Sequence, residues 1–464
     1  MSSVSRIARG IRAGRRGRKA ATAVILAGMG LLAAGLTPSA QAQTQEAHWW
    51  EQIPGFGTPG ASSSGRRDTE GRARDQAAAP LNDLRTDSTP LRSDAMLAAY
   101  DDAIARYQQI AASGGWGTIP GTRMIRPGDD DERVPYVRRR LIMGGDLRSQ
   151  QGYQSFGFDG ELEVAVRRFQ ERHGLRVSGR VDQPTLQAMN IPVQARMAQL
   201  RLNQQRVRDL IGQRMEDKYV LVNVPAFQLE AVERHNVEQR HRVIAGKPER
   251  QTPSVRATIR ALNFFPYWRV PDSVATLDLM PRLAKEPDYL AKEQIRVLTG
   301  SFNGPEINPT NIDWRQADAT RIKFRQDPGP QNALGLVRLD MPNEHGVYMH
   351  DTPMKKLFEQ RARGFSAGCV RVQNVFDLAA WIARDEPGGW TRERIDDVLA
   401  GGQAVDVTLT RPIPVYFAYV TAWAEPNGRV EFRPDIYGRD GLRELSSDRE
   451  RDPDAPMPTQ TLTP

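Results

Sequence analysis

The chain of 464 residues holds one cysteine, Cys369, and six scattered histidines. No disulfide can close within it, and so few ligands at such spacing do not build a zinc site. A glycine-rich phosphate loop is missing, as is any Lys/Arg-rich run outside the first residues. Nucleic acid is therefore not an expected partner, although the formal net charge is +8. An anionic lipid or wall polymer would satisfy that charge as well. Neither a metal nor a cofactor is expected. Beyond the opening residues no stretch is apolar enough to cross a bilayer.

What is present begins with an Arg-rich opening free of acids, MSSVSRIARGIRAGRRGRK, followed by AATAVILAGMGLLAAGL and then Ala40-Gln41-Ala42. A basic stretch, an apolar stretch and a small-residue site form an export signal over residues 1–42, cleaved after Ala42. The alternative is an uncleaved anchor that keeps the protein at a membrane; the apolar run is at the short end of the roughly 17–25 residues that span. In an oxidising compartment a lone thiol pairs with another molecule, lies buried and inert, or reacts.

The body reads as a multidomain α+β chain. Residues 43–92 are rich in Gly, Ser, Pro, Ala and charge and are expected to be a disordered linker. A helix beginning at Ser93 or Asp94 carries Leu97, Tyr100, Ile104 and Tyr107 on one face. It is assigned with 93–132 and 193–217 to a helical scaffold. Residues 133–192 form an inserted three-helix unit, with helices near 135–141, after Gly160, and after the cap Asp182. From Tyr219 the period turns to that of strands, giving a mainly β domain over 218–440. A Pro-punctuated segment, about 262–320, is laid over it as a capping subdomain, and 441–464 is a disordered tail. The pattern FDGELEVAVRRFQERHGLRVSGRVDQPTLQAMN resembles the small three-helix peptidoglycan-binding domain. His173 within it reads as a structural residue at a helix end.

The thiol lies in HGVYMHDTPMKKLFEQRARGFSAGCVRVQN. A nucleophilic cysteine needs a base, local positive charge and donors for the oxyanion formed on attack. His350 is the candidate base, the amides of Gly368 and Cys369 are candidate oxyanion donors, and Arg371 supplies charge. His345 competes with His350, and strand parity separates them. In a strand over 346–351, Tyr348 and His350 share one face while Val347 and Met349 take the other. The second ring nitrogen of His350 needs an orienter. The backbone carbonyl of Asp351 suits that task better than its carboxylate, which points away. On these residues alone a reactive Cys–His pair and an inert thiol remain equally open.

The complete stretch, HDTP followed by FEQRARGFSAGCVRV, resembles the catalytic motif of the L,D-transpeptidases, the YkuD-type domain. Further motifs stand in the order of the large Gram-negative branch: Gly114-Gly115-Trp116, the three-helix unit, VNVPAFQLE, NFFPYWRVP, DPGPQNALGLVRLDMPN and DIYGRD. Two departures are visible: Ala367 stands where many relatives carry a second histidine, and Phe264-Phe265-Pro266 is one residue longer than usual. The resemblance implies a periplasmic enzyme whose partners are peptidoglycan stem peptides and glycan strands; no protein partner is indicated. It also implies that Cys369 forms a thioester with a stem tetrapeptide at the diaminopimelate–D-alanine bond, and that a second stem's amine resolves it as a 3→3 cross-link. Tyr348, Trp268 and Ser366 are then candidates for the substrate channel and its loop. A carboxypeptidase with the same dyad and a non-catalytic wall-binding scaffold are the alternatives.

Overall fold

Five helices come first, and their ends lie where capping side chains place them. The computed structural model describes residues 81, 83–148, 154–212, 216–286, 288–318 and 320–441. Helix α1 (Asp94–Ala112) starts at Ser93, whose hydroxyl accepts the Met96 amide at 3.3 Å. Its buried face, with Tyr100, Ile104 and Tyr107, packs along α5 (Val193–Ile211) through Leu200 and Val207. Between them stand α2 (Val134–Gly144), α3 (Gly160–Arg172) and α4 (Gln183–Asn190). Asp159 and Asp182 cap the last two, accepting the amides of Leu162 at 2.8 Å and Thr185 at 3.1 Å. Leu141, Leu162, Val166, Phe169, Leu186 and Met189 fill the core of this unit.

Gln170 shows why a polar residue follows Phe169 there. Fully buried, its amide nitrogen donates to the Arg180 carbonyl at 2.7 Å and to Thr185 Oγ1 at 3.0 Å, and its oxygen accepts the amides of Ser178 and Gly179, both at 2.9 Å. One side chain thereby satisfies the turn between α3 and α4. Gln170→Leu keeps the size and orphans these groups, so it is expected to destabilise the unit by at least about 2 kcal/mol, read as loss of amide-exchange protection over residues 160–190. His173 donates from Nδ1 to the Phe169 carbonyl at 2.7 Å and stacks between Phe169 and Phe432. It packs inside the unit.

The second half closes on itself. Strands β3 (Asn236–Gly246), β11 (Val370–Val372), β9 (Met349–His350), β8 (Val337–Asp340), β4 (Val255–Phe264), β12 (Val405–Ala418), β1 (Lys218–Asn223) and β2 (Gln228–Glu233) pair in that order, and β2 returns to β3. A barrel-like sheet results, with β10 (Gly364–Ser366) added beside the end of β3. Alternation sorts the residues of each strand. Val220 and Val222 face the interior with Leu229, Ile259, Leu339, Met349 and Val372, against helix α6 (Val375–Ala383). Tyr219 and Leu221 face α1, α5 and the hairpin of β13 (Ala422–Ala424) and β14 (Val430–Phe432). Covered on both faces, β1 reads as a nearly unbroken apolar run.

The capping subdomain leaves the barrel after β4 and returns at β8, which are paired neighbours, Phe264 opposite Val337. It has a sheet of its own, ordered β5 (Trp268–Arg269), β7 (Ile322–Gln326), β6 (Ile295–Thr299), over a core of Val270, Leu283, Leu290, Val297 and Phe324. The expected limits, 262–320, need correction at both ends. Residues 262–264 belong to the barrel strand, and the central strand of the cap lies beyond 320. Phe265, at φ 49°, turns the chain out of the barrel after β4.

The expected signal over 1–42, the linker as far as residue 80 and the tail from 442 lie outside the described residues. Among the described residues no helix is long and apolar enough to cross a membrane. The last part of the expected linker is not loose. Leu91 is buried and its amide donates to Glu230 at 2.9 Å, Arg85 lies against Glu230 and Glu425, and Arg92 pairs with Glu216 at 2.6 Å. Composition misses this because the segment is held by charge meeting buried counter-charge, not by apolar area of its own.

Candidate active site

Two adjacent parallel strands, β9 and β11, carry the chemistry. Arg371 lies opposite His350, Val370 lies opposite Met349, and the Val370 amide donates to the Tyr348 carbonyl at 3.0 Å. Cys369 and Arg371 thus share a face with Tyr348 and His350, while Met349, Val370 and Val347 enter the core. On the other flank of β9, β8 places Arg338 opposite His350. His350 is consequently bracketed by two arginines.

The thiol of Cys369 is partly exposed and free. Against it stand the backbone amide and the phenol of Tyr348, and Arg371. The Tyr348 phenol also feels the Trp268 side chain, a residue of the capping sheet. Burial pushes the thiol above its ordinary value, while Tyr348 and Arg371 pull the other way. Among the described residues Arg371 Nε has no hydrogen-bond partner, and Nη1 lies 3.6 Å from Met354 Sδ, a side chain 57% exposed. Its guanidinium therefore has donors to offer a ligand.

His350 is buried, and its Nδ1 lies 2.5 Å from the Asp351 carbonyl. A carbonyl only accepts, so Nδ1 carries the proton and Nε2 is the bare nitrogen. Burial first, then the charge of Arg371, pushes the imidazole down to about 3, against the pull of the Asp351 and Leu334 carbonyls. The resting pair is neutral imidazole and thiol. Among the described contacts there is no hydrogen bond from the thiol to this ring, whose plane stands near Tyr348 at 5.7 Å between centroids. The Asp351 carboxylate turns away, accepting the Leu336 amide at 3.0 Å and pairing with Lys355.

The loop before the thiol is tied by hydroxyls. Ser366 Oγ donates to the Cys369 carbonyl at 2.5 Å and accepts the Gly368 amide at 3.1 Å. Thr252 Oγ1 donates to the Gly368 carbonyl at 2.8 Å and accepts the Gly246 amide at 2.8 Å. Gly368 adopts φ 120°, which favours glycine. The expectation of two oxyanion amides is altered by this turn, which spends the Gly368 N–H on Ser366. Beside the sulfur remain the Cys369 amide, without an acceptor among the described contacts, and the Tyr348 hydroxyl. Ser366 is buried and fastens the loop, the other role the sequence left open for it.

Thr252, Arg338 and Tyr437 were not singled out from the sequence. Tyr437 lay within the quoted DIYGRD; its hydroxyl donates to the Gly246 carbonyl at 2.6 Å and accepts the Thr252 amide at 3.2 Å. Arg338 was legible as the register partner of His350 once β8 was paired. For Thr252 no local signal exists. Thr252→Val removes the hydroxyl without changing shape, orphaning the buried Gly246 amide and the Gly368 carbonyl. A loss of about 1–3 kcal/mol is expected, with Cys369 alkylation altered well below the melting midpoint. Among the described residues no group of His, Cys, Asp and Glu is placed to hold a metal ion.

Comparison with known proteins gives two family matches. Residues 217–402 match the YkuD family, described as "L,D-transpeptidase catalytic domain", and residues 151–189 match the family described as "Putative peptidoglycan binding domain". A protein of Haemophilus influenzae named "Putative L,D-transpeptidase" is 33% identical over 222 residues, 48% of this chain and 44% of that protein. The chain thus spans less than half of that relative's length. Among solved structures, an L,D-transpeptidase from Mycobacterium smegmatis is 14% identical over 43% of this chain and 58% of that one, with a TM-score of 0.22. One from Xylanimonas cellulosilytica is 14% identical over 64% and 98%, with a TM-score of 0.20. Superpositions that shallow add nothing to the family matches.

Proposed function

We propose that this chain is a cysteine acyltransferase that joins peptidoglycan stem peptides, a reading supported by the match of residues 217–402 to the L,D-transpeptidase catalytic domain family and of residues 151–189 to a peptidoglycan-binding family. Cys369 Sγ attacks the carbonyl of the third stem residue in a tetrapeptide donor. His350 Nε2 takes the thiol proton and delivers it to the departing D-alanine nitrogen, so that a C–N bond breaks as the C–S bond forms. The side-chain amine of a second stem then attacks the thioester, His350 accepts its proton, and the thiol returns with a 3→3 amide bond made. The Cys369 amide and Tyr348 hydroxyl stabilise the oxyanion. Arg371 receives a stem carboxylate on its open donors.

The observation that carries this reading is the face shared by Cys369, Tyr348, His350 and Arg371, with Nδ1 of His350 fixed on the Asp351 carbonyl. Trp268 of the cap, close to the Tyr348 phenol, supports a site in which the cap limits water so that an amine can compete with it. The export pattern supports action in the periplasm. The test is the purified protein mixed with disaccharide-tetrapeptide and followed by mass spectrometry. Cross-linked dimers with loss of one D-alanine are expected. Tripeptide without dimer would replace this reading by a carboxypeptidase, and no reaction by a wall-binding scaffold.

A further inference from the structure

We propose that Asp83, in the segment just ahead of the helical scaffold, is a working part of the catalytic unit and positions the thiol loop through Arg363. The inference rests on the reading of Cys369 as the nucleophile. It concerns residues that lie before the three-helix unit and outside both matched domains.

Arg363 is the residue before β10, and it is completely buried. Its Nε donates to the Val243 carbonyl at 3.2 Å, Nη1 to Gln360 at 2.7 Å and Nη2 to Phe227 at 3.0 Å. Neutral carbonyls do not balance a buried cation. The balancing charge comes from 280 positions earlier: Asp83 Oδ2 lies 2.8 Å from Nη2, and its other oxygen pairs with Arg242 Nε at 2.6 Å. Among the described residues Asp83 is the sole carboxylate within ion-pair distance of either arginine. Even so, burial brings Arg363 down to about 10.

The segment is held in place by side chains and backbone of β2 and β3. Gln228 donates to the Asp83 carbonyl, Arg242 to the Leu81 carbonyl and Arg240 to the Asp87 carbonyl, while the Val237 amide donates to Ser88 at 2.8 Å. From Arg363 the path to the thiol is short. The Arg363 carbonyl accepts the Ala245 amide at 2.9 Å, and the Ser366 carbonyl accepts the Lys247 amide at 3.0 Å, pinning β10 to β3. Three residues after Arg363, the Ser366 hydroxyl fixes both Gly368 and Cys369. An unbalanced Arg363 pulled toward water shifts the start of this track, and Cys369 moves off the phenol, amide and guanidinium that serve it. Asp83 touches no reacting atom; it is a positioning residue.

The experiment compares the full chain with Asp83→Asn, Asp83→Glu and Asp87→Asn. Asp87 lies in the same segment but pairs with Arg85, 2.7 Å away, and serves as the control. For each variant kcat and KM on tetrapeptide, the rate of Cys369 alkylation by iodoacetamide, and the melting midpoint are measured. Asp83→Asn is expected to lower kcat between about tenfold and a hundredfold, with KM within about threefold of the parent. Alkylation should depart from the parent rate well below the midpoint, Asp83→Glu should recover most of the loss, and Asp87→Asn should leave kcat and alkylation unchanged. Parental kcat and alkylation in Asp83→Asn, or equal losses in Asp83→Asn and Asp87→Asn, would overturn the proposal.

Should Asp83→Asn fail to fold, the double variant Asp83→Asn/Arg363→Met decides. Removing both charges restores the fold, and kcat remains low because the anchor is gone. Parental kcat in that double variant contradicts positioning. If the parent does not turn over tetrapeptide at all, the transpeptidase reading fails, and the alkylation arm still decides the role of Asp83.

Discussion

Cys369→Ala is expected to lower D-alanine release from tetrapeptide by roughly 10⁴-fold or more, the scale seen when a covalent nucleophile is removed. No second thiol exists in the chain to take over. The substitution removes one atom from a partly exposed position, and the loop keeps its fastening through the Cys369 carbonyl on Ser366. Stability should therefore change by no more than about 1 kcal/mol. Cys369→Ser is expected to be inactive as well. A base whose proton affinity has been pushed down to about 3 can draw little help from a hydroxyl far less acidic than a thiol. Assay of D-alanine alongside thermal melts checks both statements. Activity above a hundredth of the parent in a folded Cys369→Ala protein would remove the thiol from the mechanism.

His350→Gln should reduce acylation by about 10²–10⁴-fold, the range for loss of a positioned acid–base group. The pH behaviour is the sharper signature. Burial and Arg371 hold the folded-state value near 3, whereas an unfolded histidine titrates near about 6.5. The depressed value means that the unfolded chain binds the proton more readily. The stability contributed by neutral His350 is fully present above the unfolded value and is lost as pH falls through the window down to the folded value. The parent's melting midpoint should drop across that window, and His350→Gln should drop less. Acylation by the parent should also show no limb at the ordinary imidazole value. A limb near 6.5 that vanishes in His350→Gln would mean that the ring is far more solvated than its burial indicates.

How much of this could be read in advance depends on the range over which each signal acts. Local signals were legible. Ser93 and Asp182 cap helices because the capping bond spans three residues. The two-residue period put Tyr348 and His350 on one face and Met349 on the other. The carbonyl of Asp351 was favoured as orienter because parity turned its carboxylate away, and the carboxylate indeed meets Lys355 and the Leu336 amide. Signals between distant residues were not legible. Thr252 supports Gly368 across more than a hundred positions, and Asp83 meets Arg363 across a greater distance still. A threonine and an aspartate carry no periodicity that marks them. The segment after residue 80 looked like linker because its composition is that of linkers, while what orders it is Gln228 and Glu230 on β2, Arg240 and Arg242 on β3, and Arg363. The Gly368 amide was misassigned for a related reason: a backbone turn at φ 120° decides where that N–H points, and residue type alone leaves the direction open.

Whether Cys369 carries the acyl group is tested most directly by intact-protein mass spectrometry after brief mixing with tetrapeptide. The account predicts an adduct equal to the donor less D-alanine, mapping on digestion to the peptide that contains Cys369 and released by an added amine. Turnover with no adduct on Cys369, or an adduct on any other residue, would contradict it.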